Sequence, residues 1–128
     1  MNSDNKFSWR ARARSFKYAF HGIWALLRDE HNARIHLVAA ILAVLLGVIL
    51  HISVLQWCII ILCIGLVFAA ECINSAIEAI ADKVSPCHDP LVGKAKDVAA
   101  AAVLFLAIAA LAVGIVIFVP AICRFFAA

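Results

Sequence analysis

Residues 35–70 of the chain read IHLVAAILAVLLGVILHISVLQWCIIILCIGLVFAA, without a single Asp, Glu, Lys or Arg. As one helix these 36 residues would extend about 54 Å, whereas a hydrocarbon core about 30 Å thick is crossed by about 20 residues. The one polar interruption reads HISVLQ at residues 51–56 and is followed by Trp57, a residue that prefers membrane interfaces. The stretch therefore predicts two short membrane-spanning helices, near residues 35–52 and 54–72, joined by a tight turn.

A second uncharged stretch covers residues 98–123 and is long enough for one crossing. It predicts a third transmembrane helix near residues 97–121, with Pro120 near its end and Arg124 just beyond. The 128 residues are 66% hydrophobic and 15% charged, against about half and about a quarter in a typical soluble domain. Disordered, collagen and disulfide-scaffold classes do not contain such long aliphatic runs. We predict an all-α, polytopic membrane protein with a single domain over residues 1–128.

The first 34 residues are basic and amphipathic. They hold seven of the eleven Lys and Arg residues, and apolar side chains recur at helical spacing at Phe16, Phe20, Ile23, Trp24 and Leu27. This pattern predicts a basic helix on the membrane surface, although an ordinary packed helix of the bundle would also show it. Because positive charge favours the cytoplasmic side, we expect the N-terminus and residues 73–96 inside the cell and the 51–56 turn outside.

The cysteines show no pairing pattern. The five are Cys58, Cys63, Cys72, Cys87 and Cys123. None forms a Cys-x-x-Cys pair, and most fall within the apolar spans. We expect buried free thiols that behave as small hydrophobic groups, with no disulfide framework.

The segment after the second predicted span carries the most informative polar pattern of the chain. It reads ECINSAIEAIAD, and at about 100° per residue Glu71, Asn74, Glu78 and Asp82 fall within an arc of about 80°. Carboxylates and an amide at a membrane boundary suit Mg²⁺ binding and general-base chemistry. A solvated helix face is the alternative. An ionisable group at the edge of the lipid, as at Glu71, favours function.

Two further polar clusters lie near the same boundary. The sequence GKAKD places Lys96 and Asp97 at the entrance to the third span, where a lysine can neutralise phosphate oxygens or simply extend toward water. The cluster is not a P-loop, because the glycine required five residues before Gly93 is absent. Glu30 precedes the first span, where it is a candidate ligand, a helix-end charge or a partner for Arg34.

These residues together resemble the prokaryotic diacylglycerol kinase / undecaprenol kinase family of small trimeric membrane enzymes. The resemblance rests on E-x-x-N-S-A-I-E-x-x-x-D from Glu71 to Asp82, on G-x-A-K-D from Gly93, and on Glu30 before the first span. The acidic string is highly specific, and the similarity covers nearly the whole chain. The sequence E-x-N-A-R-I-H from Glu30 looks more like the undecaprenol kinase branch.

The resemblance implies ATP- and Mg²⁺-dependent phosphorylation of a lipid hydroxyl, of undecaprenol or diacylglycerol, at the cytoplasmic face of the bacterial inner membrane. It implies that Glu71 is the general base and that Glu30 and Glu78 hold Mg²⁺. It also implies a nucleotide site formed by Tyr18, Glu30, Asn74, Glu78, Asp82, Lys96 and Asp97. A homotrimer with active sites shared between subunits is expected from the same resemblance, and no nucleic acid partner is expected.

Two features depart from the family pattern. The loop after Asp82 reads CHDP at residues 87–90, where the family has Glu-Tyr-His. Arg10 and Arg12 flank the position at which the family has an arginine. We therefore expect the contacts of this loop to the nucleotide to differ from those of the family.

Two other functions are compatible with a small membrane protein. A non-catalytic scaffold gives no reason for the polar face between Glu71 and Asp82. An ion-coupled transporter would favour acidic groups near the middle of a span, and the predicted spans lack them.

Overall fold

The computed structural model describes residues 7–128 as four α-helices and their connections. The helices are α1 (Trp9–Asp29), α2 (His31–Ile49), α3 (Val54–Val84) and α4 (Pro90–Ala127). Helices α2, α3 and α4 are long and apolar enough to cross a membrane, and none of the described residues belongs to a strand. The predicted all-α chain with one N-terminal helix and three candidate spans is confirmed. Lys6, the first basic residue of the N-terminal segment, lies outside the described residues.

Helix α1 starts before the predicted apolar stripe and ends at a defined break. Ser8 is its N-cap, and the Ser8 hydroxyl accepts a hydrogen bond from the Ala11 N–H at 3.3 Å. At the other end Glu30 has an extended backbone (φ −104°, ψ 118°) that separates α1 from α2. The Arg34 guanidinium donates to two carbonyl oxygens in the last turn of α1, at 3.0 and 2.8 Å. Arg34 therefore caps α1 rather than pairing with Glu30.

Helix α1 exposes the aromatic side that was predicted to meet the membrane. Three of its rings are each 68% exposed: Phe16, Phe20 and Trp24. Small residues such as Gly22 lie on the side toward α3, and Leu26, which is outside the predicted stripe, is the residue that α1 buries. The helix therefore packs through one side and leaves its aromatic side available to lipid.

The tight turn predicted after the first span is observed at the end of α2. His51 has a left-handed φ of 51°. The His51 and Ile52 N–H groups donate to the carbonyl oxygens of Val48 (3.3 Å) and Gly47 (3.2 Å). This pair of hydrogen bonds is a Schellman motif, which satisfies the last carbonyls of a helix and reverses the chain. The reversal allows α3 to run back along α2.

Capping residues set where α3 and α4 begin. Ser53 and Gln56 form a capping box at the start of α3, in which each side chain accepts a hydrogen bond from the other's backbone N–H. The Asp89 side chain accepts hydrogen bonds from two N–H groups in the first turn of α4, and Pro90 is its first residue.

Helices α3 and α4 extend beyond the predicted spans. Their 31 and 38 residues correspond to lengths of about 46 and 57 Å. The predicted active-site segment, residues 73–96, is therefore helical up to Val84 and again from Pro90. Helix α3 continues through the polar residues after Ala70, and α4 begins at its Asp89 cap rather than at the first residue of the uncharged stretch, which explains the difference.

The buried apolar core lies near the α2–α3 turn, where α3 and α4 pack together. Its centre consists of Ile52, Ile60, Ile117 and Phe118. Gly47 is buried there, and a Cβ atom at this position would lie 2.7 Å from the Trp57 ring. Only glycine permits this approach between the helices.

The five cysteines are free, as predicted, but most of them are not buried. Those exposed on the surface of the chain are Cys58, Cys72, Cys87 and Cys123. The expectation of buried thiols was wrong for these four, because each helix is covered by its neighbours on one side only.

Candidate active site

Glu71 is the most deeply buried charged side chain among residues 7–128, with only 2% of its surface exposed. Its Oε1 atom lies 3.1 Å from Nε2 of His36, which belongs to α2. The contact does not have hydrogen-bond geometry, so Oε1 is a buried oxygen without a donor. Burying a carboxylate without full hydrogen bonding costs stability. Packing therefore does not explain a glutamate at this place, which makes Glu71 a candidate functional residue.

An open cleft of about 750 Å³ lies between α1 and the second half of α3. Acidic side chains from both sides line it: Asp29, Glu30, Glu78 and Asp82. Asp29 already has a positively charged partner, because the Arg28 guanidinium donates two hydrogen bonds to its carboxylate, at 2.7 and 3.0 Å. These hydrogen bonds hold the pKa of Asp29 below its usual value.

Uncharged donors hold the two glutamates of the cleft. Ser75 Oγ donates to Glu30 Oε1, and Asn74 Nδ2 donates to Glu78 Oε1, each at 3.2 Å. The Oδ1 atom of Asn74 is buried without a donor. Because both donors are neutral, these hydrogen bonds orient the carboxylates without cancelling their negative charge.

An ion pair connects the edge of the cleft to α4. Lys96 Nζ donates to Asp82 Oδ1 at 2.7 Å. The structure thus brings Lys96 to the acidic face, whereas Asp97 is exposed beside it. Tyr18 is 66% exposed and does not line the cleft, although helical geometry puts it on the same side of α1 as Gly22.

Two residues of the site were not among the sequence-predicted ones. Ser75 is 45 residues from its partner Glu30, so its contact could not be read from local spacing. The one indication in the sequence was that Ser75 lies between Asn74 and Glu78 in the polar segment after the second predicted span. His36 ends the E-x-N-A-R-I-H string that starts at Glu30, and its polar side chain within the first predicted span was the available signal.

The donor set of the cleft fits a magnesium ion that is shared with a nucleotide. No group of three His, Cys, Asp or Glu side chains in the described part of the chain is arranged to hold a metal ion alone. Glu30 and Glu78 offer hard oxygen ligands. Mg²⁺ commonly takes one or two carboxylates and completes its coordination with phosphate oxygens and water.

The fold and the cleft define a small polytopic membrane protein with an acidic site. Its sequence matches the prokaryotic diacylglycerol kinase family over residues 17–118. Undecaprenol kinase of Bacillus subtilis (strain 168) is 39% identical over 107 residues, which cover 84% of this chain and 87% of that protein. Diacylglycerol kinase of Escherichia coli (strain K12) is 36% identical over 93 residues, which cover 73% of this chain and 76% of that protein. Diacylglycerol kinase of a Synechocystis species is 34% identical over 107 residues, 83% of this chain but 61% of that longer protein.

The chain belongs to the prokaryotic diacylglycerol kinase family. It is accordingly a lipid kinase, an ATP-dependent phosphotransferase of the bacterial inner membrane. The resemblance carried by the acidic string from Glu71 to Asp82 is confirmed, and the scaffold and transporter alternatives are not favoured.

Proposed function

We propose that this chain transfers the terminal phosphoryl group of ATP to the hydroxyl of a membrane lipid alcohol, undecaprenol or diacylglycerol. One observation carries the proposal: the buried Glu71 lies beside a cleft that Glu30 and Glu78 enter with uncompensated negative charge. Relatives named undecaprenol kinase and diacylglycerol kinase support both acceptor classes.

Glu71 acts as the general base in this proposal. In its ionised form it accepts the proton of the lipid hydroxyl while the hydroxyl oxygen forms a bond to the terminal phosphorus of ATP. The bond from that phosphorus to the bridging oxygen breaks, and ADP leaves with the electron pair. Glu71 then releases the proton to water. Phosphoryl transfer depends mainly on positioning and charge stabilisation, which suits a site of a few held carboxylates and a lysine.

Glu71 lies between a polar and an apolar recess, which supports two substrates arriving from different sides. The polar recess is the acidic cleft. The apolar one is a groove of about 250 Å³ between α2 and α3, lined by Ala40, Ile41, Val44, Leu45 and Ile64. Ala40 lies about 6 Å along α2 from His36, and Ile64 about 10 Å along α3 from Glu71. A lipid chain in the groove would bring its hydroxyl to Glu71 from the membrane side.

Glu30 and Glu78 would hold Mg²⁺ in the cleft, with their carboxylates oriented by Ser75 and Asn74. A bound Mg²⁺ ion neutralises negative charge on the phosphates. The chain's own contribution is the orientation of these oxygen ligands, which the two hydrogen bonds determine. Asn74 therefore supports the site without being a metal ligand.

Lys96 would bind a phosphate of the nucleotide. It now donates to Asp82, so binding exchanges a carboxylate partner for a phosphate partner while Asp82 stays in the site. The neighbouring Asp97 would orient Lys96. Tyr18 would contact the nucleotide from the side of α1 that faces α3.

We further infer the topology and the assembly. The chain forms one domain whose N-terminus and residues 73–96 are cytoplasmic, with membrane spans near residues 35–52, 54–72 and 97–121. Three chains form a homotrimer in which neighbouring subunits contribute to each site. Light scattering in detergent should give a protein mass of three times 13.8 kDa.

The proposed function is tested by phosphate transfer from ATP in lipid vesicles that contain undecaprenol, diacylglycerol or neither. We expect Mg²⁺-dependent formation of a lipid phosphate with at least one alcohol. We expect Glu71→Gln to reduce transfer by about 10²- to 10⁴-fold. Asp89→Ser is the matched control, since it removes a carboxylate but keeps an N-cap side chain for α4. Transfer to neither alcohol, or normal turnover by Glu71→Gln, would contradict the proposal.

A further inference from the structure

His36 has no role in the reaction described above, yet it is the side chain that meets Glu71 from the neighbouring helix. The two lie 3.1 Å apart from Nε2 to Oε1, and their side chains are 21% and 3% exposed. Glu30 and Glu78 are also near enough for their charges to act on Glu71. Of these three neighbours, only His36 can donate a hydrogen bond to a carboxylate when the glutamates are ionised.

A carboxylate base needs such a donor to face its substrate in one orientation. The terminal torsion of a glutamate side chain is broad, so rotation exchanges its two oxygens at little cost. A general base must hold one oxygen within about 2.6–3.2 Å of the hydroxyl. A donor on the other oxygen removes the rotational freedom. Hydrogen bonds of this kind are often long or poorly aligned without substrate and tighten when substrate binds.

We propose that His36 is a positioning residue for this base. The His36 Nε2–H donates to Glu71 Oε1 in the substrate complex and leaves Glu71 Oε2 directed at the lipid hydroxyl. The imidazole touches neither substrate and acts through Glu71 alone. The inference rests on the proposed role of Glu71 as the general base.

Two substitutions separate positioning from packing. His36→Leu keeps a side chain of similar size and removes the donor, whereas His36→Gln keeps an amide donor. We expect His36→Leu to lower kcat for lipid phosphorylation about 10- to 100-fold, the cost of a misplaced reacting group, with the KM for ATP unchanged. We expect His36→Gln to recover most of the lost kcat. In a Glu71→Gln background, His36→Leu should cause no further loss, because the two residues act as one unit.

A spectroscopic measurement tests the contact itself, independently of turnover. With the lipid alcohol present and ATP absent, the imidazole of ¹⁵N-histidine-labelled protein should show a protonated Nε2 at His36, and its resonance should shift in Glu71→Gln. An unprotonated Nε2 that Glu71→Gln leaves unmoved would overturn the proposal, as would a His36→Leu enzyme with normal kcat. Absence of transfer by the unaltered protein would instead overturn the proposed function.

Discussion

At the scale of single residues, the four carboxylates that line the cleft of this kinase are of two kinds, which differ in the charge of their hydrogen-bond partner. Asp29 and Asp82 each have a basic side chain within hydrogen-bond distance. Glu30 and Glu78 have only a hydroxyl and an amide. A cation entering the cleft therefore meets its strongest attraction at the two glutamates, which are the residues that the family resemblance implies as Mg²⁺ ligands.

The proposed role of Glu78 as a metal ligand predicts a change in the requirement for Mg²⁺. Glu78→Gln should raise the Mg²⁺ concentration for half-maximal activity by about 10- to 100-fold. Metal affinity falls by about this factor when a residue that supports a metal site is substituted. Asp29→Asn is the matched control, because Asp29 lines the same cleft but is held by Arg28. Mg²⁺ titrations of phosphate transfer measure both. Equal shifts in the two variants would argue against a specific ligand role.

The position of Lys96 predicts a nucleotide effect that its neighbour Lys94 should not share. Lys96→Met should raise the KM for ATP about tenfold, the loss of one modest ionic contact. Lys94→Met should leave the KM near that of the unaltered protein. Both variants should unfold at nearly the same temperature, because the exposed Lys96–Asp82 pair contributes little to stability. A lowered unfolding temperature with unchanged KM would indicate a structural role instead.

At the scale of elements, helix ends and close contacts decide how α1 to α4 position the site. The break at Glu30 places that carboxylate between α1 and α2, where Ser75 of α3 reaches it. The turn around His51 reverses the chain, so that α3 runs back beside α2. Glu71 of α3 therefore lies against His36 of α2. The site therefore depends on backbone geometry at both ends of α2.

Gly47 is predicted to be essential for the contact between α2 and the start of α3. Gly47→Ala should lower the free energy of unfolding by about 1–3 kcal/mol, as overpacking of a core does, since the added Cβ lies 2.7 Å from the Trp57 ring. Gly65→Ala is the control, because nothing lies within 4 Å of its Cβ position. Thermal or denaturant unfolding in detergent compares them. If both variants were equally stable, the close approach would not be important.

The apolar groove between α2 and α3 predicts a substitution that affects only the lipid. Ala40→Phe fills the groove and should raise the KM for the lipid alcohol severalfold, with the KM for ATP unchanged. Leu42→Phe adds an aromatic ring on the exposed other side of α2 and should have little effect. Steady-state kinetics with varied lipid measures both. If Ala40→Phe raised only the KM for ATP, the lipid chain would have to bind outside this groove.

At the scale of the whole molecule, the arrangement of charge predicts how the chain lies in its membrane. The acidic cleft and α1 lie at one end of the bundle, and the α2–α3 turn with the apolar core lies at the other. Lys and Arg are concentrated at the cleft end. Since positive residues favour the cytoplasm, the active site should face the compartment that contains ATP.

The proposed topology predicts which residues can be labelled from outside the cell. In a variant whose other four cysteines are alanine, the exposed Cys87 should resist a membrane-impermeant maleimide in intact spheroplasts and react after permeabilisation. A variant with no native cysteine and Ser53→Cys should react in intact spheroplasts, because Ser53 is exposed in the opposite turn. The reverse labelling pattern would invert the topology.

The features of this protein that depend on neighbouring residues could be predicted from the amino-acid sequence. Apolar length predicted three candidate spans and the turn at residues 51–56, and helical spacing put Glu71 and Asp82 on one face. These properties follow from the rise and period of one helix and from its caps. Helix packing was needed to show that Ser75 donates to Glu30, that Lys96 reaches Asp82, and that His36 lies against Glu71. Such contacts join distant residues, and they depend on how the helices pack rather than on spacing within any one helix.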